Sequence, residues 1–220
     1  MKGLYLVTPD WDDTAALIDA TDKALRAGAS LVQYRHKSAS PELRREQAAR
    51  LLALCRHHGR PFIVNDFIDL CLELGADGVH VGGTDASVAQ ARNALGAGRI
   101  IGASCYGDRR LAREAAASGA SYVAFGGFYP SRVKQYPVTT PPEIVDWARA
   151  EIAVPSVVIG GMTPENAAPL VARGADMVAA ISSVYGAPAI EGAVRQFARL
   201  FSQCDEGRRP AGTAMADPAA

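Results

Sequence analysis

Residues 61–85, PFIVNDFIDLCLELGADGVHVGGTD, carry the pattern that the rest of the chain repeats. Phe62-Ile63-Val64 is a continuous apolar run, as in a parallel strand covered on both faces, and it stops at Asn65-Asp66. Phe67 to Leu74 places apolar residues at helical spacing and ends at Gly75, a C-terminal cap signal. Gly78 to Val81 is a second short strand, leading through Gly82-Gly83 to Asp85. Asp66 and Asp85 therefore follow the carboxyl ends of two successive parallel strands, where such sheets bind ligands. Two carboxylates there suit a hard cation such as Mg²⁺, held together with a substrate's phosphate oxygens. They read equally well as caps of the helices that follow.

Outward from this stretch, the strand-then-helix alternation occurs eight times. Strands are expected at Leu4–Val7, Leu31–Arg35, Arg99–Ala103, Tyr122–Phe125, Pro155–Ile159 and Met177–Ile181, in addition to the two above. Helices are expected at Trp11–Arg26, Pro41–His58, Ala86–Leu95, Arg109–Ser118, Pro142–Glu151, Pro164–Arg173 and Pro188–Phe201, in addition to Phe67–Leu74. Junctions of the form helix–Gly–Ala–x–strand recur at Ala27-Gly28-Ala29, Leu74-Gly75-Ala76, Ser118-Gly119-Ala120 and Arg173-Gly174-Ala175. Eight such units predict a closed (β/α)₈ TIM barrel in a single domain, residues 1–203, followed by an aperiodic tail, residues 204–220. A doubly wound open sheet is the alternative. It is disfavoured because no strand carries a GxGxxG turn.

The composition narrows the class. The 220 residues are 49% apolar with a formal net charge of zero, so the basic excess of a nucleic-acid-binding domain is missing. No apolar run approaches the roughly 20 residues of a membrane-spanning helix, and the N-terminus turns acidic too soon for a signal peptide. Cys55, Cys71, Cys105 and Cys204 show no metal-binding spacing and read as reduced, packed thiols. A cytoplasmic protein acting on small molecules is expected, with no nucleic-acid or membrane partner; a homo-oligomer is left open.

In a barrel, the residues just after each strand share one rim. Gln33, Arg35 and Lys37 alternate along an extended segment, so period-two spacing points all three to one side and Tyr34 and His36 to the other. Two cations and an amide on one side make a diphosphate grip, unless they form a solvated edge. The loops after strands seven and eight, Ile159-Gly160-Gly161 and Ile181-Ser182-Ser183, occupy the usual phosphate position of this fold. Thr163-Pro164 supplies a helix start beside them, although Gly-Gly alone also makes an ordinary turn. The loop GGFYPSRVKQ, residues 126–135, is basic and longer than its counterparts, as a substrate-closing lid would be. Within it Lys134 is placed to meet a leaving diphosphate or to sit solvated. Ser104 lies on the same rim with no His or Asp partner in its local sequence, so a nucleophilic serine is not expected. His80 reads as a packed histidine inside its strand. One rim thus offers sites for two phosphorylated ligands and a cation, which suggests transfer of an organic group with loss of diphosphate.

In this order, Gln33-x-Arg35-x-Lys37, the unit from Val64-Asn65-Asp66 to Gly78-Val79-His80-Val81-Gly82, and Ile159-Gly160-Gly161 resemble the thiamine phosphate synthase family, from Leu4 to Ser182. The resemblance implies a (β/α)₈ barrel that joins 4-amino-2-methyl-5-hydroxymethylpyrimidine diphosphate to a thiazole phosphate. The products are thiamine phosphate and diphosphate, and the mechanism is Mg²⁺-assisted and dissociative. It further implies that Gln33, Arg35, Lys37 and Asn65 hold the pyrimidine diphosphate and that Asp66 and Asp85 bind Mg²⁺. Ser104 would contact the pyrimidine diphosphate and Lys134 its leaving group. Ser131 and Val133 would lie beside the thiazole ligand, and Gly161, Ile181 and Ser182 would hold its phosphate. Val133 stands where the family carries a threonine, and Gly83 where it commonly carries Gln. Two other activities remain as alternatives: a thiazole tautomerase-like isomerase on the same barrel, and a non-catalytic barrel that binds phosphorylated ligands.

Overall fold

Every strand in the computed structural model ends in a polar or glycine-rich turn at one common mouth. The structure describes residues 1–82, 86–130 and 140–206. Among them, eight strands alternate with helices: β1 (Gly3–Val7), α1 (Thr14–Arg26), β2 (Leu31–Tyr34), α2 (Pro41–His57), β3 (Phe62–Asn65), α3 (Ile68–Leu74), β4 (Gly78–Val81), α4 (Val88–Leu95), β5 (Ile100–Ser104), α5 (Arg109–Ala117), β6 (Tyr122–Gly126), α6 (Glu143–Glu151), β7 (Ser156–Ile159), α7 (Pro164–Arg173), β8 (Met177–Ala180), α8 (Ser182–Tyr185) and α9 (Ile190–Glu206). All strand pairs are parallel, and β8 pairs back onto β1. The open-sheet alternative is thereby excluded and the closed barrel stands.

Period-two alternation divides the apolar residues into two cores. Leu4, Leu6, Val32, Val64, Val79, Ile101, Val123, Val158 and Val178 face outward and pack with the helices. Tyr5, Val7, Leu31, Ile63, Tyr122, Ala124, Val157, Met177 and Ala179 fill the lumen. The expected runs look uniformly apolar because both faces of each strand are covered.

Several boundaries differ from expectation for local reasons. Helix α1 begins at Thr14 rather than Trp11, because the Asp13 side chain accepts from Ala16 N and caps the helix there. Ser87 caps α4 through a capping box with Gln90, so Ala86 lies outside that helix. Strand β8 stops at Ala180, and Ile181 turns the chain into the short helix α8, which periodicity did not suggest. Helix α9 continues to Glu206, past the expected start of the tail; residues 207–220 lie outside the described residues.

Candidate active site

The site begins with the way β2 runs on past its last ladder residue. Thr8, fully buried just beyond β1, donates its hydroxyl to Arg35 O at 3.1 Å and accepts from Arg35 N at 2.8 Å. This clamp keeps residues 33–37 extended, so alternation persists to the rim. Tyr34 and His36 turn outward, and both meet the Gln47 side chain of α2. Gln33 and Arg35 turn inward and line one narrow cavity with Tyr5, His80, Ser104, Ile159 and Ile181.

Arg35 is 7% exposed, and its Nε meets no partner among the described residues. One terminal nitrogen donates to the Asp10 carboxylate at 3.4 Å, a long contact for a charged pair. Asp10 also accepts from Lys37 N at 3.2 Å, so it fastens the loop as well as facing the guanidinium. Lys37 departs in part from the expected grip. Its side chain is more than half exposed, and its Nζ lies 3.9 Å from Asp66 rather than in the cavity.

Asp66 has φ of +64°, in the left-handed region that non-glycine residues seldom occupy. Its amide continues the ladder by donating to His80 O at 2.9 Å. Its carboxylate accepts from Asn65 Nδ2 at 2.5 Å, so Lys37, Asn65 and Asp66 form one cluster at the ends of β2 and β3. Such outliers persist where the surroundings over-determine them, often at functional sites. The N-cap position of α3 belongs to Phe67 rather than to Asp66. Among the described residues no three His, Cys, Asp or Glu side chains cluster as a metal site. Asp85, the second expected ligand, lies outside the described residues, as do Gly83, Ser131, Val133 and Lys134.

Across the mouth, Gly160 and Gly161 have φ of +114° and +61°. A Cβ on Gly160 would stand 2.8 Å from Gly127 N, and one on Gly161 would collide with Pro130 O. The fold itself thus requires both glycines, because the loop after β6 crosses directly over them. Ile181 lines the cavity and Ser182, exposed, opens α8.

The local sequence offers Ser104 no histidine partner; the fold supplies one from the neighbouring strand. Residues His80 and Ser104 lie near the mouth ends of the neighbouring strands β4 and β5, and His80 Nε2 is 2.9 Å from Ser104 Oγ. The far nitrogen, Nδ1, meets Tyr122 OH at 2.9 Å where a hydrolytic triad would have a carboxylate. Tyr122 OH is 2.6 Å from Tyr5 OH, which accepts from Gln33 Nε2 at 2.6 Å. Burial pushes both phenols well above the ordinary tyrosine range, so both keep their protons. The adjacent Cys105 is no substitute nucleophile: burial pushes its thiol up to about 12. His80 is therefore packed, as expected, and yet faces the cavity. Its signal in the sequence was its place in Gly78-Val79-His80-Val81, where the two valines must face the helices.

The geometry amounts to a buried cation with unused donor capacity, a strained rim carboxylate and a polar lumen. Residues 4–184 match the family model described as thiamine monophosphate synthase. The chain is 63% identical over 204 residues to a thiamine-phosphate synthase of Janthinobacterium, covering 92% of this chain and 98% of that one. A thiamine-phosphate synthase of Nitrosospira multiformis is 46% identical, over 92% of this chain and 87% of its own. Among solved structures, a thiamine phosphate pyrophosphorylase from Pyrococcus furiosus superposes with a TM-score of 0.82 at 29% identity, over 92% of this chain and 96% of that one.

Proposed function

The chain belongs to the thiamine monophosphate synthase family, and from that premise we propose how its own residues carry the reaction. It is an enzyme of thiamine biosynthesis, a transferase that forms thiamine phosphate. Its substrates, in this reading, are the aminopyrimidine methyl diphosphate and a thiazole phosphate. The observation that carries the assignment of the anion site is Arg35: a guanidinium 7% exposed, with Nε unpartnered among the described residues, at the mouth of a parallel barrel. Burying such a group without full partners is costly, and a diphosphate supplies the acceptors it lacks.

Gln33, Arg35, Lys37 and Asn65 hold the pyrimidine diphosphate. The methylene C–O bond breaks with its electron pair going to the diphosphate, and the thiazole nitrogen then bonds to the pyrimidine methyl cation. Chemistry of this kind needs placed positive charge and hydrogen-bond donors rather than a nucleophilic side chain. Arg35 and Lys37 meet the growing negative charge, and Ser104 donates to it. Lys134 is assigned to the leaving diphosphate, as the family resemblance implies. The thiazole phosphate rests against Gly161, Ile181 and Ser182, with Ser131 and Val133 beside the ring.

Mg²⁺ suits the donor set. Asp66 offers a partly exposed hard oxygen donor next to the diphosphate grip, and Asp85 follows the neighbouring strand. Bound there, the ion would offset charge on the diphosphate.

The test is diphosphate release from the purified protein given both phosphorylated substrates and Mg²⁺. Release that needs all three is expected. Binding of both ligands without release would select a non-catalytic barrel, and metal-free isomerisation of the thiazole alone a tautomerase. Asp66→Asn, which keeps the shape and tolerates positive φ, should raise the Mg²⁺ needed for half-maximal rate by about 10–100-fold. Unchanged metal dependence would remove Asp66 from the ion's shell.

A further inference from the structure

We propose that Gln33, Tyr5, Tyr122, His80 and Ser104 form a one-way hydrogen-bond wire through the barrel lumen, which fixes His80 as its Nε2–H tautomer and leaves the Ser104 hydroxyl as a donor to the cavity.

The direction follows from counting protons. Gln33 Nε2 can only donate, and it reaches Tyr5 OH at 2.6 Å. The only other partner of the Tyr5 hydroxyl among the described residues is Tyr122 OH, 2.6 Å away, so the buried Tyr5 proton goes there. Tyr122 in turn donates to His80 Nδ1 at 2.9 Å. A neutral imidazole that accepts at Nδ1 carries its proton on Nε2, and this donates to Ser104 Oγ at 2.9 Å. Ser104 thus accepts from the protein and keeps its O–H for a ligand. At the other end, the Gln33 carbonyl oxygen is left as the acceptor.

The backbone makes room for this chain. His80, Gly102 and Tyr122 occupy one row of three neighbouring strands. A Cβ on Gly102 would collide with the Tyr122 ring and hydroxyl. With glycine there, the Tyr122 and His80 rings stack across the gap, centroids 5.6 Å apart and 22° between planes. Chains of hydrogen bonds in a low-dielectric interior polarise one another, so the far amide influences the serine. Tyr5, Tyr122 and His80 are positioning residues: they act through Ser104. The use of that oriented hydroxyl rests on the placement of Ser104 beside the departing diphosphate, where an oxygen gaining charge needs a donor; the direction of the wire does not.

The experiment reads the His80 tautomer by ¹⁵N NMR of the ligand-free, full-length protein labelled at histidine, with His80→Gln assigning the signal. At roughly pH 9, above the ordinary histidine range, Nε2 should be protonated and Nδ1 bare. The opposite tautomer, or an imidazolium, overturns the proposal in the wild-type protein alone. Gln33→Glu is the sharper case. Its carboxylate, kept ionised by nearby Arg35, can only accept, so every bond should reverse and the His80 proton move to Nδ1. An unchanged tautomer in that variant also overturns it. Tyr122→Phe cuts the wire, and kcat should fall about tenfold, the worth of one hydrogen bond, with KM for the thiazole phosphate unchanged; an unaltered kcat refutes the catalytic use. Because the tautomer is read without ligands, its failure leaves the proposed reaction standing, and failure of diphosphate release leaves the wire standing.

Discussion

Arg92 and Arg35 sit at opposite ends of the same barrel and are treated in opposite ways. At the end where strands begin, Arg92 donates to Gly119 O at 2.6 Å and to Gly96 O and Arg99 O at 2.8 Å. It thereby takes up carbonyls of the two loops that lead into β5 and β6. Arg99 does the same for Ala76 O at 2.6 Å, and the Asp77 and Asp176 side chains accept from Phe62 N and Ser156 N at 2.8 Å. At the mouth, Arg35 has one long contact, to Asp10, and an Nε that meets no partner among the described residues, while Asp66 at positive φ faces Lys37. One end spends its charges on the backbone; the other holds them in reserve. That division is the general one for this architecture, with stability at the amino ends of the strands and chemistry at the carboxyl ends.

Arg35→Ala breaks the comparison at the mouth and has the largest expected effect. Diphosphate release should fall by about 10²–10³-fold, the typical worth of one preorganised donor on a developing anion. Stability should change by less than about 1 kcal/mol, because Asp10 is left partly exposed and still receives Lys37 N. Turnover and urea midpoint measured on one preparation decide it. A large loss of stability with modest loss of rate would make Arg35 a structural residue like Arg92.

The mirror substitutions come next in size. Asp77→Ala or Asp176→Ala each leaves a buried backbone N–H at a strand start without its acceptor, at a cost of about 1–3 kcal/mol. Asp176 should cost more than Asp77, since it also accepts from Ser156 Oγ at 3.2 Å. Turnover per folded molecule should stay at the wild-type value. A tenfold drop in kcat from either would mean that the two ends are not energetically separate.

The two ends also differed in how much the sequence disclosed. The amino end is written in local signals: Gly75 and Gly174 close their helices at φ of +66° and +117°, as their place after periodic runs predicts. The mouth is half local. Alternation along residues 33–37 suffices to bring Gln33 and Arg35 inward, because Thr8 holds that segment extended. The pairing of His80 with Ser104, by contrast, spans 24 residues and depends on β4 and β5 being neighbours in register. Tyr5 and Tyr122 are 117 positions apart and looked like ordinary strand residues until closure faced them across the lumen. Helix α8 escaped notice because four residues are too few to show a period.

The smallest effect separates position from burial. Cys71 lies midway along α3 with its thiol turned to Ala76 O, just before β4 begins, and Cys105 just past Ser104 at the mouth, yet both are fully buried. Their thiols donate to Ala76 O and Ala103 O. Burial pushes Cys71 up to about 11, and Cys55 and Cys105 up to about 12. In the unfolded chain they ionise near pH 8.5. Above that pH the unfolded state sheds thiol protons that the folded state retains. Stability must therefore fall as pH climbs from about 8.5 toward 11, by at most about 1.4 kcal/mol per pH unit for each thiol. Between pH 8.5 and about 9.5 the buried tyrosines, which ionise near pH 10 when unfolded, contribute less than the thiols, so the slope of the urea midpoint there belongs largely to cysteine. Replacing Cys71 and Cys105 by Ala, singly, should reduce that slope by similar amounts despite their opposite locations. If only Cys105→Ala flattened it, the mouth would be tuning its thiol in a way that the other end does not, and reserve charge there would extend to the cysteine as well.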